Sequence, residues 1–175
     1  MSRQGGTRKA KGRRVIIGCT GHRPNKLGGY SSDISRRLEA LAHSWLSVVM
    51  PDEVISGMAL GWDQAVAWAA YRLGIPFRAY IPFDGQESKW PPAARNAYEQ
   101  LLWLAQATKV CTNGGYSPQA MQIRNMDVTD DSDMLLALWD GVKYGGTWNC
   151  IDYATNGSAI STPIINLWDM WQISS

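Results

Sequence analysis

The residues of this chain best suited to hold a ligand are the tripeptide Gly145-Gly146-Thr147, which closely follows an apolar run at residues 134–139. A strand that turns through paired glycines into a helix presents free backbone N–H groups and the positive end of a helix dipole, and both attract phosphate. The threonine adds a hydroxyl group. This turn therefore predicts a bound nucleotide or another phosphate-carrying molecule.

A second group of polar and glycine residues follows the first apolar run of the chain. The segment Thr20-Gly21-His22-Arg23 combines a hydroxyl, a flexible backbone, an imidazole and a guanidinium. Arginine is a natural partner of phosphate because its planar fork donates to two oxygens at once. We therefore expect this segment to contribute to the same ligand site.

Three more segments are expected to reach this site. Ser56-Gly57 and Gly61 follow the second apolar run, where small residues let the backbone approach a ligand closely, and Asp63 lies in the first turn of the next helix. Asp63 is interpreted either as an acceptor for a ribose hydroxyl or as an acid that compensates the helix dipole. Asp140-Gly141 follow the fifth run, and Arg124-Asn125 lie on a short predicted helix upstream of it.

The elements that must position these residues alternate along the chain. Apolar runs bounded by turn residues predict six strands, separated by stretches with helical spacing. The predicted strands are residues 15–19, 53–56, 77–81, 109–112, 134–139 and 163–167. This alternation is typical of an α/β protein whose sheet is mostly parallel and covered by helices on both faces. In such sheets ligands collect at the carboxyl ends of the strands.

Composition and charge indicate one domain with a basic extension. The 175 residues, 45% of them apolar, are enough for a single well-buried core, which we expect over residues 13–175. Six basic residues precede the first strand, and the remaining 11 basic residues face 15 acidic ones. Residues 1–12 are therefore predicted to form a disordered basic arm, interpreted either as a solubilising tail or as a loose attachment to nucleic acid.

Several kinds of site and location are excluded by what the sequence lacks. No apolar run is long enough to cross a bilayer or to act as a signal peptide, so a cytoplasmic protein with no membrane partner is expected. Cys19 and His22 have the spacing of a metal-binding pair, but no second pair occurs and no metal site is predicted. The sequence has neither a Gly-Lys-Ser/Thr loop nor a Gly-x-Ser-x-Gly elbow. No cofactor is predicted beyond the nucleotide-derived ligand.

Two of the nine tryptophans directly follow glycine turns. Trp62 and Trp148 are each interpreted either as a surface on which a base could stack or as a side chain that packs the start of a helix. Two others, Trp168 and Trp171, indicate a docked C-terminal segment or a contact between subunits.

The motifs and their order resemble the SLOG superfamily, the Rossmann-like group that contains the DNA-processing protein DprA and the LOG phosphoribohydrolases. The resemblance covers residues 14–168 or so, and is greatest to the small single-domain branch common in Firmicutes and phages. It rests on Thr20-Gly21-His22-Arg23-Pro24, Ser56-Gly57-x-Ala59-Leu60-Gly61-x-Asp63, Arg124-Asn125, Leu136-Ala137-Leu138-Trp139-Asp140-Gly141 and Gly145-Gly146-Thr147. It implies a Rossmann-like doubly wound fold and a nucleotide or nucleotide-derived ligand at the carboxyl edge of the sheet.

Three functions follow from this resemblance. The first is the sensing or sequestration of a nucleotide-derived small molecule, in host defence if the chain is phage-encoded. The second is cleavage or transfer at the N-glycosidic bond of a nucleotide, by an N-glycosidase or (deoxy)ribosyltransferase. The third is DNA binding, as in the DNA-processing relative. A homodimer is also expected from the family.

The enzymatic alternative needs an acid that the LOG pattern does not supply here. The resemblance implies a catalytic glutamate shortly after the Gly-Thr turn, but Cys150 occupies that position. A thiol cannot replace a carboxylate in stabilising an oxocarbenium-like sugar. The candidates for the acid or nucleophile are therefore Asp63, Asp84, Glu87 and Asp140.

Overall fold

The computed structural model describes residues 12–174, and within this range six strands form one fully parallel sheet. The strands are β1 (Ile16–Gly21), β2 (Glu53–Ser56), β3 (Phe77–Ile81), β4 (Ala107–Val110), β5 (Met134–Leu138) and β6 (Ile164–Asn166). The helices are α1 (Ser32–Val49), α2 (Trp62–Arg72), α3 (Pro92–Leu104), α4 (Pro118–Asp130), α5 (Gly146–Asp152) and α6 (Trp168–Ile173). The predicted α/β fold is confirmed. The basic arm predicted for residues 1–12 lies outside the described residues except for Gly12.

The order of the strands across the sheet is β4-β3-β2-β1-β5-β6. The chain builds outward from β1 to β4 and then crosses back to place β5 on the other side of β1. The connections that leave β1 and β5 therefore diverge, and they leave a crevice at the carboxyl ends of these two strands. Such a switch point is where doubly wound sheets bind their ligands.

Two of the predicted strands, β1 and β4, have boundaries that were wrong by two residues. β1 continues to Gly21 because its backbone pairs with β5 as far as Gly21 opposite Leu138. β4 begins at Ala107 because its pairing with β3 starts there, opposite Arg78, although this edge strand is exposed and carries few apolar residues. Apolar patterning cannot locate such a strand, since its ends are set by the backbone of its neighbour.

The sheet is covered on both faces by buried apolar side chains. The larger core lies between the sheet and α1, α2 and α3, and the smaller one lies against α4 and α5. Adjacent strand residues point to opposite faces, so Val54 belongs to the first core and Ile55 to the second. At the C-terminus, Trp171 of α6 is buried in the first core beneath the guanidinium of Arg37, so this segment docks on the same chain. No helix within residues 12–174 is long and apolar enough to span a membrane.

Candidate ligand-binding site

A cavity of about 230 Å³ lies at the switch point between the carboxyl ends of β1 and β5. Its walls come from the end of β1 and the loop that follows, from the start of α2, from α4, and from the turn into α5. The structure brings together here ten of the residues that the sequence predicted for the site. These are Thr20, Gly21, His22, Arg23, Asp63, Arg124, Asn125, Gly145, Gly146 and Thr147.

A buried arginine and a buried aspartate lie side by side in this cavity. The side chain of Arg124 is 7% exposed, its Nη1 donates to the carbonyl oxygen of Gly57 and lies 3.5 Å from Asp63 Oδ2, and its Nε donates to Asn125 Oδ1 at 3.1 Å. Its Nη2 makes no hydrogen bond within the described part of the chain. A guanidinium in this low-dielectric setting retains hydrogen-bonding capacity for an anion that enters the cavity.

Burial dominates the acid–base behaviour of Asp63. Desolvation raises the pKa of its carboxyl group, although the Arg124 guanidinium and the Ala59 backbone N–H act to lower it. The Ala59 N–H lies 3.3 Å from Asp63 Oδ2 and the thiol of Cys19 lies 3.9 Å from Oδ1. Asp63 is therefore a carboxyl group with a raised proton affinity at the wall of the cavity, able to accept from a sugar hydroxyl or to donate a proton.

His22 connects Thr147 to Asp140 through its two ring nitrogens. Nδ1 lies 3.3 Å from Thr147 Oγ1, while Nε2 accepts from the Asp140 backbone N–H at 3.1 Å and lies 2.9 Å from Asp140 Oδ1. Burial lowers the pKa of His22, with Asp140 acting in the opposite direction. Nε2 thus faces both a backbone donor and a carboxylate oxygen, and the tautomer decides whether Nδ1 donates to or accepts from the Thr147 hydroxyl.

Asp140 itself borders the cavity without lining it. Desolvation acts to raise the pKa of its carboxyl group, but the Val142 backbone N–H and His22 outweigh it, so that the pKa is lowered. Lys26 Nζ lies 3.7 Å from Asp140 Oδ2. Gly141, with a φ of +84°, turns the chain next to Asp140 and also lies outside the lining. Asp140 therefore contacts His22 from outside the lining of the cavity, and its contact with a ligand stays a prediction.

The three residues predicted after β2 support the cavity from behind. The Ser56 hydroxyl is buried, donating to the carbonyl oxygen of Asp63 at 2.8 Å and accepting from the Met58 N–H at 3.1 Å. Gly57 leaves room for Arg124, since a Cβ there would lie 2.1 Å from Nη1. Gly61 lies against the His22 carbonyl oxygen, and a Cβ added to Gly61 would lie 2.7 Å from that oxygen. None of these three residues lines the cavity, because each is occupied in packing α2 and α4 against β1 and β2, and their contact with a ligand stays a prediction.

Asp84 and Glu87 lie outside the cavity, in the loop between β3 and α3. The sequence placed this loop at the carboxyl edge, which is correct, but β3 is separated from β1 by β2. The loop therefore emerges away from the crevice between β1 and β5. Of the four acids considered for catalysis, Asp63 alone lines the cavity as the described residues form it.

The tryptophan and cysteine side chains near the site are structural. Trp62 is fully buried, its Nε1 donates to the Leu136 carbonyl oxygen at 3.1 Å, and it packs against Gly21. The packing interpretation is therefore confirmed for Trp62. Burial raises the pKa of the Cys19 and Cys150 thiols, which keeps them protonated and poorly nucleophilic. No group of three metal-binding side chains occurs within residues 12–174.

Sequence reasoning missed seven lining residues. They are Cys19, Asn25, Lys26, Ala59, Met121, Val128 and Tyr144. Most of them adjoin predicted positions: Lys26 lies in the short 3₁₀ helix Pro24–Lys26 just after Arg23, and Met121 lies one helical turn before Arg124. Helical periodicity, applied to the segment around Arg124, would have found Met121 and Val128. Tyr144 directly precedes the glycine turn and had no pattern of its own.

The sequence of this chain matches the model of a known protein family. The model YpsA, described as the YspA SLOG family, matches residues 17–162. The chain belongs to this SLOG family. The predicted resemblance to the SLOG superfamily is thereby confirmed.

Two relatives of known sequence come from Bacillus species. The SLOG chain is 34% identical to the SPbeta prophage-derived protein YoqJ of Bacillus subtilis over 116 residues, which cover 57% of this chain and 67% of YoqJ. It is 29% identical to a UPF0398 protein of Bacillus velezensis over 137 residues, covering 71% of this chain and 75% of that protein.

Two solved structures of DNA processing protein A share the fold. The protein from Streptococcus pneumoniae superposes with a TM-score of 0.62 at 14% identity, covering 87% of this chain, which spans 50% of the solved one. The protein from Helicobacter pylori gives a TM-score of 0.60 at 12% identity, covering 91% of this chain and 78% of the solved chain. At such low identity these likenesses establish the Rossmann-like fold alone.

Proposed function

We propose that this SLOG protein binds a nucleotide or a nucleotide-derived small molecule in the cavity between β1 and β5, as a sensor or a sequestering protein. Membership of the family and the DprA-like fold fit nucleotide or DNA binding in general. The observation that carries the proposal is the buried guanidinium of Arg124, which shares the switch-point cavity with Thr147 and the glycine turn.

The charges around the cavity favour an anion. Three cationic side chains, those of Arg23, Lys26 and Arg124, line it, and in the described part of the chain Asp63 is the one carboxyl group among the lining residues. Because burial raises the pKa of Asp63, its negative charge opposes an entering phosphate less than an exposed carboxylate would. The Nη2 group of Arg124 is suited to donate to one phosphate oxygen, and the Thr147 hydroxyl to another.

The polar residues next to this phosphate position suit a sugar. Asp63 and Asn125 line the cavity beside Arg124, and both carry side-chain oxygens that accept hydrogen bonds. Asp140, the other acid considered for the ribose, already contacts His22. We therefore assign the ribose hydroxyls to Asp63, and the phosphate to Arg124, Gly146 and Thr147.

Thermal unfolding with ribose 5-phosphate, nucleoside monophosphates and inorganic phosphate tests the proposal. A ligand that binds only the folded state at about 100 times its dissociation constant adds about 2.7 kcal/mol to the free energy of unfolding. We expect the nucleotides and ribose 5-phosphate to raise the melting temperature of the unaltered protein, and to raise that of an Arg124→Lys variant much less. An unchanged melting temperature with every probe would contradict the proposal.

Asp63 also favours a second candidate, hydrolysis or transfer at the N-glycosidic bond of a nucleotide. A carboxyl group whose pKa is raised by desolvation is suited to protonate a leaving base. Cys150, at the position where LOG enzymes carry glutamate, is buried and does not line the cavity, so the acid would have to be Asp63. Chromatographic release of free base from a nucleotide, abolished in Asp63→Asn, would support catalysis, whereas binding without turnover would leave the protein a binder.

A further inference from the structure

We propose that the ring of Tyr144 is the stacking surface for the nucleobase of a ligand whose phosphate and sugar occupy the cavity. This inference rests on the proposed function. It gives a binding surface for the nucleobase, which the cavity itself does not enclose. Tyr144 lines the cavity, directly precedes Gly145, and is 80% exposed. An aromatic ring at the rim of a phosphate site offers an apolar face that a base can cover.

The loop that carries Tyr144 is held in place by its own contacts. Trp139 Nε1 donates to the Val142 carbonyl oxygen at 2.9 Å, and the Val142 N–H donates to Asp140 Oδ1 at 3.0 Å. The Tyr144 N–H in turn donates to the Val142 carbonyl oxygen at 2.8 Å. The backbone beside the cavity is therefore fixed, which lowers the entropic cost of stacking a base on the Tyr144 ring.

The neighbouring aromatic rings already have partners. Trp139 and Trp148 stack on each other with centroids 5.6 Å apart and planes at 22°, and Lys143 Nζ lies 5.5 Å from the centroid of Trp148. Within residues 12–174 the ring of Tyr144 contacts no other aromatic ring. Tyr144 is consequently the ring left available at this rim, in place of Trp62 and Trp148, which the sequence had suggested.

The size of the cavity also favours a ligand whose sugar and phosphate lie inside and whose base lies outside. Sites that enclose a whole drug-sized ligand measure about 300–1,000 Å³, and this cavity measures about 230 Å³. It suits a sugar phosphate, so the base of a nucleotide must lie at the mouth. Stacking there requires no hydrogen bonds to the base edge, and we therefore expect purines to bind more tightly than pyrimidines because their rings are larger.

Calorimetric titration with two probes, AMP and ribose 5-phosphate, tests the inference on the full-length protein. We expect Tyr144→Ala to weaken AMP binding about tenfold or more, the typical effect of removing one stacking ring, and to leave ribose 5-phosphate binding unchanged. Tyr144→Phe should retain both affinities, since it keeps the ring. The control is Tyr71→Ala, which also removes an exposed tyrosine. Tyr71 lies near the C-terminal end of α2, whereas the cavity lies at the start of this helix.

Each other result overturns the inference in a recognisable way. Equal losses for both probes in Tyr144→Ala would show that Tyr144 only shapes the cavity, and no loss for AMP would show that the base lies elsewhere. If the unaltered protein binds ribose 5-phosphate but gains nothing from the base of AMP, the stacking role fails and the proposed function stands. Binding of neither probe overturns both.

A third probe distinguishes two sources of the same chemistry. A free nucleotide and the terminal nucleotide of a DNA strand both present a phosphate, a sugar and a base. Tighter binding of a 5′-phosphorylated oligothymidylate than of thymidine monophosphate, with both weakened by Tyr144→Ala, would assign the base to a strand end. Equal binding of the two would assign it to a free nucleotide.

Discussion

The hydroxyl of Thr147 is the side-chain group of the glycine turn that can touch a phosphate. Replacing it in Thr147→Val keeps the shape of the residue and removes the donor. Because a hydrogen bond to a charged group contributes about 1.5–3 kcal/mol, we expect roughly ten- to hundredfold weaker binding of ribose 5-phosphate by calorimetry. The melting temperature of the unliganded protein should hardly change, since within residues 12–174 the hydroxyl has one hydrogen-bond partner, His22 Nδ1 at 3.3 Å.

Thr155→Val is the matched control for this prediction. Thr155 Oγ1 donates to the Ile151 carbonyl oxygen at 2.8 Å and does not line the cavity. This variant should therefore retain the affinity of the unaltered protein. Equal affinities for Thr147→Val and Thr155→Val would remove Thr147 from the phosphate site.

His22 gives the protein a predictable response to acid. Burial lowers the pKa of the folded imidazole from 6.5, although Asp140 acts to raise it and Lys26 also lowers it. The unfolded chain therefore binds more protons than the folded protein in the window just below pH 6.5. The contribution of His22 to the free energy of unfolding should be complete above that pH and should be lost as the pH falls below it. Urea unfolding at a series of pH values measures this slope.

The second histidine supplies the control for the pH experiment. His43 is exposed on α1, and the chain has no other histidine besides His22. The slope between pH 7 and pH 5 should flatten in His22→Asn and persist in His43→Asn. A slope that survives in His22→Asn would show that other groups cause it.

At the scale of elements, the start of α2 depends on a glycine that no other residue can replace. Gly61 has a φ of +94° and a ψ of −122°, and a Cβ there would lie 2.7 Å from the carbonyl oxygen of His22. We expect Gly61→Ala to lower the free energy of unfolding by about 2 kcal/mol or more, from backbone strain and from the displaced β1 loop. Chemical denaturation measures the change.

Gly115→Ala is the reference for this strain. Gly115 has no positive φ, and a Cβ added there would meet no described atom within 4 Å. Its substitution should change the stability little. If Gly61→Ala were as stable as Gly115→Ala, the close approach of α2 to the loop after β1 would not be needed for the fold.

The elements show what the sequence could and could not reveal. The positions and parallel character of the strands followed from apolar runs that alternate with helical spacing, because burial on both faces of a sheet requires them. The order of the strands did not follow, since adjacency is a long-range property. For that reason Asp84 was grouped with Asp63, although β2 separates β3 from the crevice.

The same limit applies to individual residues of the site. Sequence motifs identified Thr20, His22, Arg124 and Thr147, because loops at the carboxyl ends of neighbouring strands meet at one edge. They could not separate residues that face the cavity from those that support it. Ser56 illustrates this, since its hydroxyl hydrogen bonds are satisfied inside the β2–α2 connection.

At the scale of the whole molecule, the start of the described chain lies at the amino ends of the strands and the cavity lies at their carboxyl ends. Arg13 pairs with Asp133 and Arg14 with Glu53 at the amino ends of β5 and β2, whereas the cavity lies at the carboxyl ends. Deleting residues 2–11 should therefore leave nucleotide affinity unchanged. The homodimer expected from the family stays a prediction, which light scattering can measure.

The same deletion measures the role of the basic arm in DNA binding. It removes four basic residues, Arg3, Arg8, Lys9 and Lys11. If the arm contacts a single strand, the slope of the logarithm of affinity against the logarithm of salt concentration should become shallower by up to about 3. Filter binding with oligothymidylate at several salt concentrations gives this slope. An identical slope with and without residues 2–11 would show that the arm does not bind DNA.

A crystal structure of the protein soaked with AMP tests the central claim most directly. The account predicts the phosphate within hydrogen-bonding distance of the Arg124 guanidinium and the Thr147 hydroxyl, between the carboxyl ends of β1 and β5, with the base against Tyr144. A nucleotide bound at any other surface, with this cavity empty, would contradict it.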